Sequence, residues 1–276
     1  DTRIEDWEIL KGAGEYKEES IILTSLPEKE GLMRLKNHYS YGDVDIKVRL
    51  EGNSFGGQKV LFRGNKDFTS CLSAGIEQGK LVIAVREGAG EKKLFEEKLS
   101  VLDGETPISI EEDKKRVRMG VLAALTRYAD TTDKAKLYAA SMEETRDREV
   151  SSVKDGEKEY EAPESFHARL DRELEIRMRG DQVTVLLDGK EAAHVEAPEM
   201  TGREVGLWSG WNSQAWSQRN LADDVYDGVF EHLIITSHKD GKESLIYSSE
   251  LTGLDKWRFD ANQKWESVLG WFLKHF

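Results

Sequence analysis

The amino-acid sequence predicts an all-β fold, a two-sheet antiparallel β-sandwich of the jelly-roll kind. Three observations carry that expectation. Apolar and polar residues alternate with period two in many short runs. Gly and Asp turn signals separate those runs at near-regular spacing. A chain of 276 residues with seven Trp, eight Tyr and nine Phe can fill one large sandwich core.

The elements follow in order. Near the start, Glu5-Asp6-Trp7-Glu8-Ile9 precedes Gly14-Glu15-Tyr16 and the apolar Ser20-Ile21-Ile22-Leu23. The run from Asp43 to Leu50 alternates strictly, as a half-buried strand must, because successive side chains leave opposite faces. A turn over 52–57 leads to the strand Lys59 to Arg63, and 64–67 turns the chain again. Phe68 to Ile76 and Lys80 to Val85 read as a hairpin hinged at Gln78-Gly79. The Ala-rich stretch 117–145 reads either as strands carrying small residues, the preferred assignment, or as one to two inserted helices; 151–164 reads as a polar loop. Arg172 to Arg179 and Gln182 to Leu187 form the clearest hairpin, turned at Gly180-Asp181. After the Asp188-Gly189 turn come Lys190 to Glu196, Val205 to Trp208 and Gly228 to Ile235.

The tail, with Asp255-Lys256-Trp257-Arg258-Phe259, Lys264-Trp265-Glu266 and Val268 to Phe272, repeats the order seen at the start. The expected organisation is therefore a sandwich over 1–250 with an inserted or irregular segment around 101–165. Residues 251–276 would be C-terminal strands of that sandwich or the start of a second, similar module.

A formal net charge of −13 repels phosphate, and there is no basic block with interleaved aromatics, so nucleic acid is excluded as a partner. The single cysteine, Cys71, excludes an intrachain disulfide and, within an apolar run, reads as a buried inert thiol. No apolar run approaches the ~18 residues of a membrane span. A first residue that is not Met is read as a processed or a trimmed N-terminus. The expected location is extracellular or periplasmic, and a larger multidomain protein is the expected setting.

The succession Tyr41-Gly-Asp-Val-Asp-Ile-Lys-Val-Arg-Leu50, Val60-Leu-Phe-Arg63, Leu174-Glu-Ile-Arg-Met178, Val183-Thr-Val-Leu-Leu-Asp-Gly-Lys190, Gly206-Leu-Trp-Ser209 and Asp227-Gly-Val-Phe-Glu-His-Leu-Ile-Ile235 resembles the concanavalin-A-like lectin/glucanase superfamily. Within it the chain is most similar to laminin-G-like modules and the 3-keto-disaccharide hydrolase type domain, over roughly 7–236. The resemblance implies two curved sheets with an oligo- or polysaccharide on the concave face. It also implies a structural calcium near the joined termini, for which Glu15 and Asp227 are the candidates by position. It implies no particular reaction.

Candidate ligand residues come first from Leu207 to Trp216, where three Trp stand among small and amide-bearing residues. Indole faces stack on the C–H faces of sugar rings and amides meet hydroxyls. Trp211, Trp216, Asn212 and Gln214 are therefore the candidate platform, and Trp208 is assigned mainly to the core. A second group joins Arg34, Lys36, His38, Tyr39 and Tyr41 to Arg63 and Lys66. Arg34, His38 and Arg63 are its candidate ligand residues. Basic groups beside Tyr and His can neutralise a uronate and move a proton, which makes His38, Tyr41 and Arg63 the candidate catalytic residues.

The alternating-acid signature of a retaining glucanase is absent, and Glu173 and Glu175 beside Arg177 read as a surface ladder. Scattered histidines give no zinc spacing, and neither Gly12-Ala13-Gly14 nor Gly88-Ala89-Gly90 is a phosphate loop. The functional expectation is a carbohydrate-binding or carbohydrate-active module. A glycoside hydrolase or polysaccharide lyase on the same fold, and an adhesion module contacting protein, are the alternatives.

Overall fold

A computed structural model describes residues 4–17, 20–25, 30–36, 43–51, 56–77, 79–88, 90–99, 171–211 and 227–251. The expectations for the Ala-rich stretch, the polar loop and the tail beyond 251 lie outside those residues. Two antiparallel sheets account for nearly all of the described chain.

The first sheet holds seven strands. They are β1 (Trp7–Lys11), β4 (Glu30–Leu35), β13 (Glu204–Trp211), β6 (Gly56–Gly64), β7 (Ser70–Glu77), β8 (Lys80–Glu87) and β9 (Gly90–Lys98), hydrogen-bonded in that order. The second runs β12 (Lys190–Glu196), β11 (Gln182–Leu187), β10 (Arg172–Arg179), β5 (Asp43–Glu51), β14 (Asp227–Lys239), β3 (Ser20–Thr24) and β2 (Ala13–Lys17). Its eighth strand, β15 (Lys242–Ser248), also pairs with β14.

The branching at β14 has a local cause. Its first half pairs with β3 through Asp227–Glu231, and its second half with β15 from Ile234 onward. Between them the register against β5 shifts and His232 takes φ 51°, a bulge that bends the strand and releases one neighbour for the next.

The alternation in the sequence is realised as burial. Val44, Ile46, Val48 and Leu50 face inward, as do Leu174, Ile176 and Met178 across the β5–β10 pair. They pack on Met33, Val60, Phe62, Ile83 and Leu207 of the opposite sheet to form one continuous core. Trp7 and Tyr247 meet edge to face at 5.4 Å within it.

The outer face of the second sheet carries ion pairs. Across strands, Lys47 reaches Glu173 at 2.9 Å and Arg49 reaches Glu231 at 3.5 Å, and within β10 Arg177 reaches Glu175 at 2.6 Å. Glu173 and Glu175 thus stand in the surface ladder their alternation implied. Asp45 accepts two hydrogen bonds from Arg179, at 2.6 and 2.9 Å, and lies 2.8 Å from Nε2 of His238. Burial pushes its carboxyl up, but these two partners outweigh that and hold it below the ordinary value.

The first sheet differs. In β7 and β8 both faces are buried, and the second face of β7 carries small residues, Cys71, Ser73 and Gly75. That face positions the candidate site.

Candidate functional site on the rolled face of the seven-stranded sheet

On the outward face of the first sheet, Leu32, Leu61, Phe68 and Cys71 form a second, smaller apolar floor, joined by Leu10 and Trp208. Trp208 does not enter the inter-sheet core as its Gly-Leu-Trp context suggested. In β13, Val205 and Leu207 are buried in that core while Ser209 donates to the Leu23 carbonyl across it at 2.8 Å, so alternation sends the residue between outward. Its ring extends over Gly57, where a Cβ would come within 2.9 Å of the indole.

Charged side chains stand on this floor. The indole N–H of Trp208 donates to Glu30 Oε2 at 2.9 Å, and Arg86 donates to both oxygens of the same carboxylate at 2.9 and 3.2 Å. Lys11 completes the set around Glu30. Lys59, directly across from Trp208, is 2% exposed and sets its ammonium 2.7 Å from Glu77, 2.8 Å from Glu91 and 4.9 Å from the Trp208 ring centre. A cation over an indole face is attracted by the ring quadrupole, so Lys59 links the Glu77/Glu91 pair to the Trp208–Glu30–Arg86 group.

This contact pattern reveals the shape of the sheet. Glu30 lies on β4 and Arg86 on β8, with β13, β6 and β7 between them. In a flat sheet at ~4.8 Å per strand those backbones would stand ~19 Å apart, farther than an arginine and a glutamate span together. A 2.9 Å ion pair therefore requires the sheet to roll toward this face, making it concave. Lys59 and Glu91, on β6 and β9, meet by the same curvature.

Burial alone pushes the Glu30 carboxyl up; the hydrogen bonds from Lys11, Trp208 and Arg86, with the charge of Arg86, outweigh it and leave the group below its ordinary value of 4.5. A carboxylate with a depressed folded value stabilises the fold above the unfolded value and loses that contribution as pH falls through the folded one. Urea midpoints are accordingly expected to decline on acidification below about pH 4.5. Glu30→Gln should show a shallower acid slope than wild type over the same range.

Cys71 lies under Arg86, Glu91, Lys59 and Glu30, fully buried, and burial pushes its thiol up to about 12. Its Sγ sits 3.7 Å from the Phe68 carbonyl. A protonated, inaccessible thiol is no nucleophile. Iodoacetamide at about pH 8 should leave native Cys71 unmodified and alkylate it once the chain is unfolded in guanidinium, read by intact mass.

The residues expected from sequence are placed as follows. Arg34 projects from β4 to an ion pair with Glu8 and donates to the Lys66 carbonyl at 3.1 Å. Lys36 donates to the Glu5 carbonyl at 3.0 Å. Arg63 sits at the end of β6 with φ 52° and turns to the second sheet, donating to Asp43 at 3.3 Å and to the Gly180 carbonyl at 3.1 Å. The two guanidiniums thus serve different partners. Trp211 ends β13, with its side chain outside the described residues; His38, Tyr41, Asn212, Gln214 and Trp216 lie outside them altogether.

Glu15 pairs with Ile22, and Asp227 with Thr24, from opposite sides of β3. The side chain of Asp227 lies outside the described residues. Among the described residues no three His, Cys, Asp or Glu side chains gather to hold a metal. No helix among them is long and apolar enough to cross a membrane.

No family description matches the chain and no curated protein matches it. Solved structures do. The carbohydrate binding module CBM66 from Bacillus subtilis aligns with a TM-score of 0.48 at 12% identity, over 83% of this chain and 94% of its own. The potassium-bound carbohydrate recognition domain of Emp46p aligns at 0.45 and 10% identity, over 85% and 91%. The Crh5 transglycosylase in complex with NAG aligns at 0.44 and 8% identity, over 90% and 84%. These likenesses are weak, and the strand order itself establishes the two-sheet sandwich.

The sequence reading missed Glu30, Lys59, Glu77, Arg86 and Glu91. They come from five strands, so no local spacing marks them. The one signal was Lys59 standing directly before the apolar run Val60-Leu61-Phe62.

Proposed function

We propose that this chain is a carbohydrate-binding β-sandwich module whose ligand lies on the rolled face of the first sheet, across Trp208. The observation that carries the reading is the fixed indole. Its N–H is held by Glu30 and one ring face by Lys59, so its orientation is set before any ligand arrives. Around it, Arg86, Glu77 and Glu91 remain 22%, 23% and 34% exposed, and so present polar atoms to hydroxyls. Trp211, Trp216, Asn212 and Gln214 would extend the platform from the end of β13, and Arg34 and His38 would frame its edge. An exported location within a larger protein agrees with a polysaccharide partner.

A glycoside hydrolase or lyase is the second reading, favoured by three carboxylates on one face. Glu30 does not suit the general-acid role, which needs a raised value rather than a lowered one. His38, Tyr41 and Arg63 stay its catalytic candidates.

The test is a glycan-array and polysaccharide-depletion screen of wild type, Trp208→Ala and Trp211→Ala, with and without calcium and with folding checked by circular dichroism. Selective binding weakened about tenfold or more in Trp208→Ala supports the reading. Failure of every glycan in both conditions contradicts it and favours a protein-contacting module, while product analysis on a bound glycan separates module from enzyme.

A further inference from the structure

We infer that the rolled face takes a glycan carrying isolated uronate residues on an otherwise neutral chain, the sugar carboxylate being held by Lys11 and Arg86 beside Trp208; the inference rests on the glycan reading above. Lys11 and Arg86 share Glu30, whose carboxylate also accepts from the Trp208 indole. Two cations on one carboxylate leave one positive charge over. They also stand outermost, Lys11 being 44% and Arg86 22% exposed against 14% for Glu30. The same order recurs toward β9, where Lys80 and Lys93 share the less exposed Glu96.

Both cations keep donors for a second carboxylate. In its described hydrogen bonds Arg86 spends only Nη2 on Glu30, so Nη1 and Nε remain to be used. Lys11 gives Glu30 one of its three ammonium hydrogens. A sugar carboxylate can therefore join this group without breaking it, while its ring rests on the indole that the two cations border. The chain's net charge of −13 does not forbid this. Charges more than ~8 Å away are largely screened at physiological ionic strength, and the local excess on this side of Trp208 is positive.

The other side of the indole has the opposite order. Trp208 stands on β13 between β4, which carries Glu30, and β6, which carries Lys59. On the β6 side the one cation, Lys59, is buried beneath the more exposed Glu77 and Glu91, which leaves one negative charge over. A uronate there meets carboxylates, whereas a neutral sugar meets acceptors for its hydroxyls. Arg34 is covered in the same way by the more exposed Glu8. Acidic and neutral sugars thus have separate places. A polyuronate, with a carboxylate on every residue, would set one against Glu77 and Glu91.

Affinity electrophoresis and calorimetry test this with glucuronoxylan, gum arabic and xanthan, each beside its carboxyl-reduced form, which keeps the chain and removes the charge. Polygalacturonate and alginate are the polyuronates, laminarin and galactomannan the neutral chains. Wild type is expected to bind at least one sparsely acidic probe about tenfold or more tighter than its reduced form and than either polyuronate. Arg86→Gln, folded by circular dichroism, should bind that probe no better than the reduced form, whose own affinity stays within about threefold of wild type. A merely structural role would weaken both. Lys11→Gln, at a more exposed position, gives the same reading if Arg86→Gln does not fold. In wild type the acidic probe alone should weaken, about fivefold, between about 50 and about 500 mM NaCl. Equal binding of native and reduced forms, preference for a polyuronate or a neutral chain, or a folded variant that keeps the wild-type preference would overturn the uronate assignment and leave the glycan reading standing. Binding of no probe at all would overturn both.

Discussion

Replacing Lys59 by alanine is expected to lower the free energy of unfolding by about 3–5 kcal/mol. The reason lies in what remains. Lys59 is 2% exposed and is the cation held between Glu77 and Glu91, at 2.7 and 2.8 Å. Truncation leaves two partly buried carboxylates facing each other with no counter-charge and removes the cation over the Trp208 ring. Removing one member of a buried ionic set costs far more than removing the set. The combined change Lys59→Met, Glu77→Gln and Glu91→Gln should therefore recover most of the loss. Urea titrations with unchanged m-values read both effects. A Lys59→Ala variant within about 1 kcal/mol of wild type would mean that the network is too hydrated to carry the face.

Gly75→Ala is expected to cost a similar amount, about 3–5 kcal/mol, and to recover poorly as soluble protein. Gly75 pairs with Lys59 across β6 and β7. A Cβ at Gly75 would fall 2.0 Å from the Gln58 carbonyl oxygen and 2.6 Å from the Lys59 Cα. Both are backbone atoms, so no side-chain rotation relieves the overlap. Either the β6–β7 pairing separates or the sheet flattens, and a flatter sheet no longer brings Glu30 to Arg86. A soluble Gly75→Ala variant with a native urea midpoint would show that the strands adapt without cost.

The fold was legible because its causes are local. Strict alternation in 43–50 and 172–179 fixes which face is buried, and Gly180-Asp181 and Asp188-Gly189 fix the turns, so β5, β10, β11 and β12 fall where the pattern puts them. Strand β9 escaped notice because its sequence, Gly-Glu-Lys-Lys-Leu-Phe-Glu-Glu-Lys, is an exposed edge with little apolar content. Charged edges resist further pairing, which is also why they look like loops. β15, half exposed beside a bulged β14, escaped for the same reason.

The site was much less legible. Glu30 meets Arg86, and Lys59 meets Glu91, only because the sheet rolls, and roll is a property of seven paired strands rather than of any one. Arg34 and Arg63 shared an expected role, yet the left-handed backbone at Arg63 turns it to Asp43 and Gly180 of the other sheet. Trp208 was read as core from its neighbours' hydrophobicity, whereas parity along β13 sets it outward.

The most direct test of the account is hydrogen–deuterium exchange of the wild-type chain with and without its tightest-binding polysaccharide from the screen. The account predicts added protection in 30–35, 56–64 and 204–211, the strands that carry Glu30, Lys59 and Trp208, with 43–51 and 172–187 unchanged. Protection confined to 43–51 and 172–187 would place the ligand on the ion-pair ladder of the second sheet and contradict the account.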